Sequence, residues 1–319
     1  MFIWVAATAL ICGIIRAPPT RDRVLMLTKN HLTLPFYVPR IYKLWSNWPE
    51  YLFNYMSRQN KPAEYRMRDG RRVVDSTGGM EGTMAVVFVR REYGDLDRFR
   101  TIVDIGANIG TFAIHAALSN PHANVYCYEP EQKNFDCLVN NIEINGLGAR
   151  VFPFRRAVAA HDGPRDLAVG DSLSNSFVIV PDGATRQTVV CTTLRRIFES
   201  RNLGVIDLLK MNCEGGEYEI LESCSDCEFE RIGNIRLEYH NMNAPNRNGR
   251  ALSRFLRARG YTIERFTRYR TTSGFIWASR EISASKVARL AEESAARAAH
   301  AELYTTTWVA SSILSQLMP

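Results

Sequence analysis

The sequence has no apolar run long enough to cross a bilayer comfortably. Phe2–Ile15 is almost wholly apolar but falls short of the roughly 20 residues a spanning helix needs. It also lacks the positive lead-in of a signal peptide, because Arg16, Arg21 and Arg23 come after the run. A packed or membrane-surface N-terminal helix is expected rather than secretion, which leaves room for a peripheral membrane contact. A zinc pattern is missing as well. Cys224 and Cys227 form a C-x-x-C, but no second pair and no His partner complete a site, so no metal is expected. The cysteines number seven, and Cys127, Cys137, Cys191 and Cys213 fall within apolar segments, as small buried hydrophobes do. Reduced, structural thiols in a cytoplasmic protein are expected. Internal repeats and low-complexity linkers are also absent, which removes solenoid and array architectures.

What is present fits an ordinary globular protein of 319 residues, 46% hydrophobic and 23% charged. The net charge of +7 is concentrated in Arg66–Arg72 and Arg254–Arg270. Such segments suit anionic partners, although solvated basic faces are the commoner outcome. Residues 17–62 are rich in proline and aromatics, and YKLWSNWPEYLFNYMSR reads as one or two short amphipathic helices closed by Pro62. That aromatic cluster is expected to pack rather than to bind. EYRMRDGRRVV, with Asp69-Gly70 at its turn, reads as a hairpin, and TMAVVFVRREY as a further strand.

From residue 100 the pattern alternates. Strands are expected at Thr101–Ile105, Asn124–Tyr128, Val151–Phe154, Val205–Met211 and Ile235–Tyr239. Helices are expected at Ile109–Leu118, Gln132–Asn145, Leu194–Arg201, from Gly216, and at Ala251–Gly260. His161–Pro164 reads as a turn, and Phe177–Val180 and Thr188–Cys191 as short strands. The closing runs Tyr261–Arg265 and Phe275–Ala278 suit an antiparallel addition to the sheet. Repeated units of this length imply an α/β fold with a mainly parallel, doubly wound sheet. The resulting division is an N-terminal helical and β extension (1–98), a central domain (99–281) and a helical tail (282–319).

TIVDIGANIG, Thr101–Gly110, is the stretch around which the rest is arranged. A strand ends in Asp104, Gly106 and Gly110 permit a sharp turn, and an apolar helix follows, so backbone N–H groups face a ligand. The spacing is D-x-G-x-N-x-G rather than G-x-G-x-x-G, and a carboxylate here sits poorly beside a pyrophosphate but suits a cationic ligand. Glu129 ends the next strand, where such a domain places an acid on the ribose hydroxyls.

VDIGANIGTFAIHAA, YEPEQKNFDCLVNNIEINGL, DLLKMNCEGGEYEIL, IRLEYH and FLRARGYTI follow one another in an order and spacing that resembles the FkbM-type class I methyltransferases, over about residues 65–280. The resemblance implies a Rossmann-like methyltransferase sheet of seven strands, S-adenosylmethionine as donor, and a hydroxyl acceptor on a sugar or polyketide-like scaffold. It puts the donor site on Asp104, Gly106, Asn108, Gly110 and Glu129, and the downstream motif on Lys210, Asn212, Glu214 and Gly215. That motif is usually K-x-D-x-E-G, and here Asn212 replaces the acid and loses its charge.

A sugar hydroxyl is a poor nucleophile and benefits from a general base. His240 and Glu214 are the candidates at strand ends, and the intrinsic pKa of His240 suits a base near neutrality. Lys210 is expected to pair with Glu214 or Glu217, or to meet an anionic substrate group. No N-P-P-Y, D-P-P-Y or Pro-Cys element is present, which disfavours methylation of exocyclic base amines or of cytosine C5. The expected activity is O-methylation of a carbohydrate, glycolipid or polyketide-like acceptor. An RNA methyltransferase or a non-catalytic nucleoside-binding module is the alternative.

Overall fold

The alternation of apolar runs and glycine stops folds, in a computed structural model, into a seven-stranded sheet flanked by helices. The structure describes residues 36–57, 60–169, 175–176, 185–242, 244–268, 272–290 and 292–293. The chain divides into two compact units, Met1–Glu92 and Tyr93–Pro319. The apolar run Phe2–Ile15 and the segment Ser172–Phe177 lie largely or wholly outside the described residues. Among those residues, no helix is long and apolar enough to cross a membrane.

In the first unit a helix over 36–44 precedes α1 (Trp48–Ser57). Next come the strands β1 (Ala63–Arg66) and β2 (Arg72–Asp75), paired antiparallel around Asp69-Gly70. Gly70 takes a left-handed φ of 91°, which a tight turn there requires. The aromatic residues pack as expected: Trp45 is fully buried, stacked on Tyr51 at 5.1 Å and edge-on to Phe88 at 5.5 Å. Three arginines of the basic hairpin are ion-paired within it, Arg66 and Arg72 to Glu64 and Arg71 to Asp69.

One expectation fails here. TMAVVFVRREY is helical, with α2 (Glu81–Met84) running into a π-helical segment, Ala85–Val89. Met84, Ala85, Val87, Phe88 and Val89 are all buried, so the run has no alternation of exposed and buried positions. β-branched residues then suggest a strand, but the tertiary environment overrides that preference.

The second unit carries β3 (Thr101–Ile105), α3 (Thr111–Ser119), β4 (Asn124–Tyr128), α4 (Gln132–Ile144) and β5 (Val151–Phe154). Four short strands follow: β6 (Ala157–Val158), β7 (Gly163–Val169), β8 (Asn175–Ser176) and β9 (Thr185–Thr192). They form their own sheet in the order β6-β9-β7-β8. Gly163 and Pro164 therefore open a strand rather than lie in a turn, and the strand expected at Phe177–Val180 lies outside the described residues. Then come α5 (Leu194–Ser200), β10 (Ile206–Met211), α6 (Glu217–Ser223), α7 (Asp226–Phe229), β11 (Ile232–His240), α8 (Gly249–Ala258), β12 (Thr262–Arg268) and β13 (Ser273–Ser279).

The large sheet has the order β12-β13-β11-β10-β3-β4-β5. Only β13 runs antiparallel to its neighbours, β11 and β12. The order reverses between β3 and β10, so their carboxyl ends flank the crevice where such sheets hold ligands. β3 and β10 are buried along nearly their whole lengths, as central strands covered on both faces must be. Of the tail, a helix over 284–290 is described.

Candidate active site

Gly106, Asn108 and Gly110 all have left-handed φ values, of 72°, 52° and 87°. At Gly106 the reason is a close approach, since a Cβ there would lie 1.9 Å from the Asn212 carbonyl oxygen. The loop after β3 is thus pressed against the end of β10. Its amides are spoken for: Gly106 and Ala107 N–H donate to the Tyr128 carbonyl at 3.0 and 3.1 Å, and Asn108 N–H donates to Glu129 Oε2 at 2.8 Å. Glu129 Oε1 accepts from Glu131 N–H at 3.1 Å. Burial pushes the Glu129 carboxyl up to about 7, against the backbone hydrogen bonds that favour its charged form.

Asp104 and Lys210 face each other in register across β3 and β10. Lys210 Nζ lies 2.7 Å from Asp104 Oδ1, donates to the Gly106 carbonyl at 2.8 Å, and sits near the Phe112 and Tyr93 rings. Both side chains are almost fully buried. Burial raises the Asp104 pKa, and Lys210 opposes that rise. The pairing expected for Lys210 with Glu214 or Glu217 is replaced by this one. Asp104 is consequently not a free charge awaiting a cation, because the lysine already compensates it. The two strands lie about a hundred residues apart in the chain, so their contact could not be read locally.

Three buried acceptors ring the loop without a protein hydrogen bond among the described residues: Asp104 Oδ2, Thr111 Oγ1 and Asn212 Oδ1. Buried polar atoms are normally satisfied, so these are places for a ligand's or a water's donors. Together with the buried Glu129 carboxylate, they fit a ligand rich in N–H and O–H groups and free of phosphate. S-adenosylmethionine has that chemistry.

Beyond β10 the chain turns through Glu214 and Gly215, both left-handed with φ of 49° and 99°. The turn brings Glu214 to His240 at the end of β11, with Oε2 3.4 Å from Nε2. On the other side of the ring Nδ1 lies 3.2 Å from Glu217 Oε1, which also accepts from the His240 N–H at 2.6 Å. Burial disfavours a charged ring here. The Glu217 hydrogen bond and the charges of Glu214, Glu217 and Glu238 outweigh it and carry His240 up to about 9. Near 9 the ring favours its charged form at pH 7, where the intrinsic value of histidine alone points to a neutral base. Glu217 had stood only as a partner for Lys210. Its signal was the second acid in Glu214-Gly215-Gly216-Glu217, whose meaning depends on the neighbouring strand.

The sequence profile of the methyltransferase FkbM domain matches residues 104–263, half of the chain. The chain belongs to that family. The FkbM methyltransferase domain is S-adenosylmethionine-dependent. The chain is 24% identical over 168 residues to methyltransferase sdnD of Sordaria araneosa, covering 43% of this chain and 65% of that protein. It is 24% identical over 193 residues to the 31-O-demethyl-FK506 methyltransferase FkbM of Streptomyces tacrolimicus, covering 51% and 72%. It is 25% identical over 138 residues to the hexuronic acid methyltransferase AglP of Haloferax volcanii, covering 43% and 54%. The match thus spans somewhat less than two thirds of the first of these proteins and about half of the third. Among solved structures, M. capricolum TrmK with S-adenosyl-homocysteine aligns at a TM-score of 0.39 and 15% identity, covering 60% of this chain and 66% of that one.

Proposed function

We propose that the protein transfers a methyl group from S-adenosylmethionine to a hydroxyl of a carbohydrate, glycolipid or polyketide-like acceptor. The observation that supports this best is the placement of two unlike sites at adjacent strand ends. Glu129 and Asn212, whose Oδ1 has no protein partner among the described residues, lie at the ends of β4 and β10, and the Glu214–His240 pair stands at the ends of β10 and β11. When bound, S-adenosylmethionine supplies a methyl group on a sulfonium, an electrophile that needs no further activation.

The residues of the chain supply the rest. Glu129 accepts from the ribose hydroxyls, Gly106 and Gly110 let the backbone approach, and Asn212 Oδ1 accepts from a donor N–H. Asn212 offers the hydrogen-bonding reach of the usual aspartate without its charge. Lys210 holds the loop through Asp104 and the Gly106 carbonyl and does not meet substrate. Glu214, whose side chain is 27% exposed, takes the acceptor hydroxyl proton, and the His240 imidazolium orients it through Nε2. The names of the relatives include a hexuronic acid methyltransferase and a 31-O-demethyl-FK506 methyltransferase, both in keeping with a hydroxyl-bearing acceptor.

Calorimetric titration with S-adenosylmethionine and with a nicotinamide dinucleotide tests the donor, and binding of the dinucleotide alone would overturn the reading. Radiolabelled methyl transfer into cell extract, fractionated by glycan, lipid, protein and RNA, tests the acceptor. Label confined to RNA would replace it with the RNA methyltransferase alternative. Glu214→Gln and His240→Ala are expected to lower turnover at least tenfold with donor affinity kept.

A further inference from the structure

Glu217 is a carboxylate with no exposed surface, at the first position of α6. A buried acid must be matched by donors or by an opposite charge. Its two oxygens divide between two tasks. Oε1 takes the backbone N–H of His240 at 2.6 Å and faces Nδ1 of the ring at 3.2 Å. Oε2 takes Gly215 N–H at 2.9 Å and lies 3.8 Å from the Cys213 thiol. One side chain thereby ties the end of β11 to the left-handed turn that carries Glu214. A second tie closes the same junction, since the Tyr218 hydroxyl donates to the His240 carbonyl at 2.8 Å.

The arrangement leaves only one edge of the imidazole facing the open side. With Nδ1 turned to the buried Glu217, Nε2 is directed at the more exposed Glu214. Resting on the methyl-transfer reading above, we propose that Glu217 is a positioning residue. It holds a proton of His240 on Nδ1 and the Glu214–Gly215 turn in place, so that the imidazolium Nε2–H donates to the Glu214 carboxylate and fixes it as the acceptor for the substrate hydroxyl proton. The proton that leaves the hydroxyl goes to Glu214, and Glu217 keeps its own hydrogen bonds throughout. The charged groups facing the ring are Glu214 from the turn, Glu217 from α6 and Glu238 from β11 itself.

Nuclear magnetic resonance of the full chain, following the His240 ring while pH is varied, tests this without any acceptor. In the unsubstituted protein, the proton lost as the ring becomes neutral should come from Nε2, so that the neutral ring carries its hydrogen on Nδ1. A neutral ring protonated on Nε2 would overturn the proposal. Glu217→Gln keeps the size but turns an amide N–H₂ toward either Gly215 N–H or the ring, and should lower the midpoint of His240 by roughly 1–2 pH units. An unmoved midpoint in a folded variant would overturn it too. If Glu217→Gln does not fold, the Nδ1 test on the unsubstituted protein still decides. In the methyl-transfer assay, Glu217→Gln should lower kcat and shift the pH profile while S-adenosylmethionine affinity stays within about twofold, whereas Glu217→Asp, which keeps the charge, should recover part of kcat. Lack of any S-adenosylmethionine binding would sink the methyltransferase reading and leave the ring measurement standing, so the two failures can be told apart.

Discussion

The turn after β3 and the turn after β10 lie side by side, yet they are held by different physics. The first is a backbone device. Gly106 is pressed onto the Asn212 carbonyl, its amides answer to Tyr128 and Glu129, and the single ion pair beneath it, Asp104–Lys210, is sealed from solvent. The second is a side-chain device, in which a protonated histidine stands between two glutamates, one sealed and one partly open. A donor common to many reactions is suited to a rigid backbone pocket. A proton acceptor is better served by side chains, whose charge can change.

The largest expected effect would break the first device. Lys210→Met leaves Asp104 buried without its counter-charge and should cost about 3–5 kcal/mol in denaturant unfolding, with much of it recovered when Asp104→Asn is added. A loss below about 1 kcal/mol would mean that the ion pair does not hold the loop. Gly106→Ala comes next, because a Cβ would run into backbone at a left-handed φ. A cost of about 3 kcal/mol is expected, together with loss of donor binding by calorimetry. Gly110→Ala should be milder, since the obstacle there is the Leu138 side chain, which can shift.

Glu129→Gln sharpens the comparison further, with donor affinity expected to fall about tenfold, or 1.4 kcal/mol. The ribose hydroxyls need the charged carboxylate, so wild-type affinity should rise as pH passes through about 7, and the variant's should not.

The smallest effects are in the pH dependence of stability. Both Glu129 and His240 have folded-state pKa values above their ordinary ones. Each therefore contributes stability that is complete below its unfolded pKa and is lost as pH rises through the folded one. For Glu129 the loss falls between its ordinary value of 4.5 and about 7. For His240 it falls between 6.5 and about 9. Unfolding curves measured across pH should lose the lower window in Glu129→Gln and the upper one in His240→Gln. If both variants altered the same window, the two turns would not be electrically separate.

Much of the proposed donor half was legible in sequence. Asp104, the two glycines and Glu129 lie within 26 residues on consecutive strand ends, and local spacing suffices to place them together. The proposed acceptor half was legible only as names. His240 and Glu214 stood out as strand-end residues, but the charge of the ring depends on Glu217 and on a contact between β11 and α6. The helix at 81–89 was missed because a segment buried on all sides carries no period.

By itself the sequence determined the order of strands and helices in the large sheet, the glycine turn and the family, since each depends on periodicity and on motifs short in sequence. Tertiary structure alone decided that Lys210 belongs to Asp104, that Asn212 Oδ1 has no protein partner among the described residues, and that His240 stands between Glu214 and Glu217. Those outcomes depend on which strands become neighbours and on how little water reaches them. Charges and hydrogen bonds in such places are set by groups far apart in the chain.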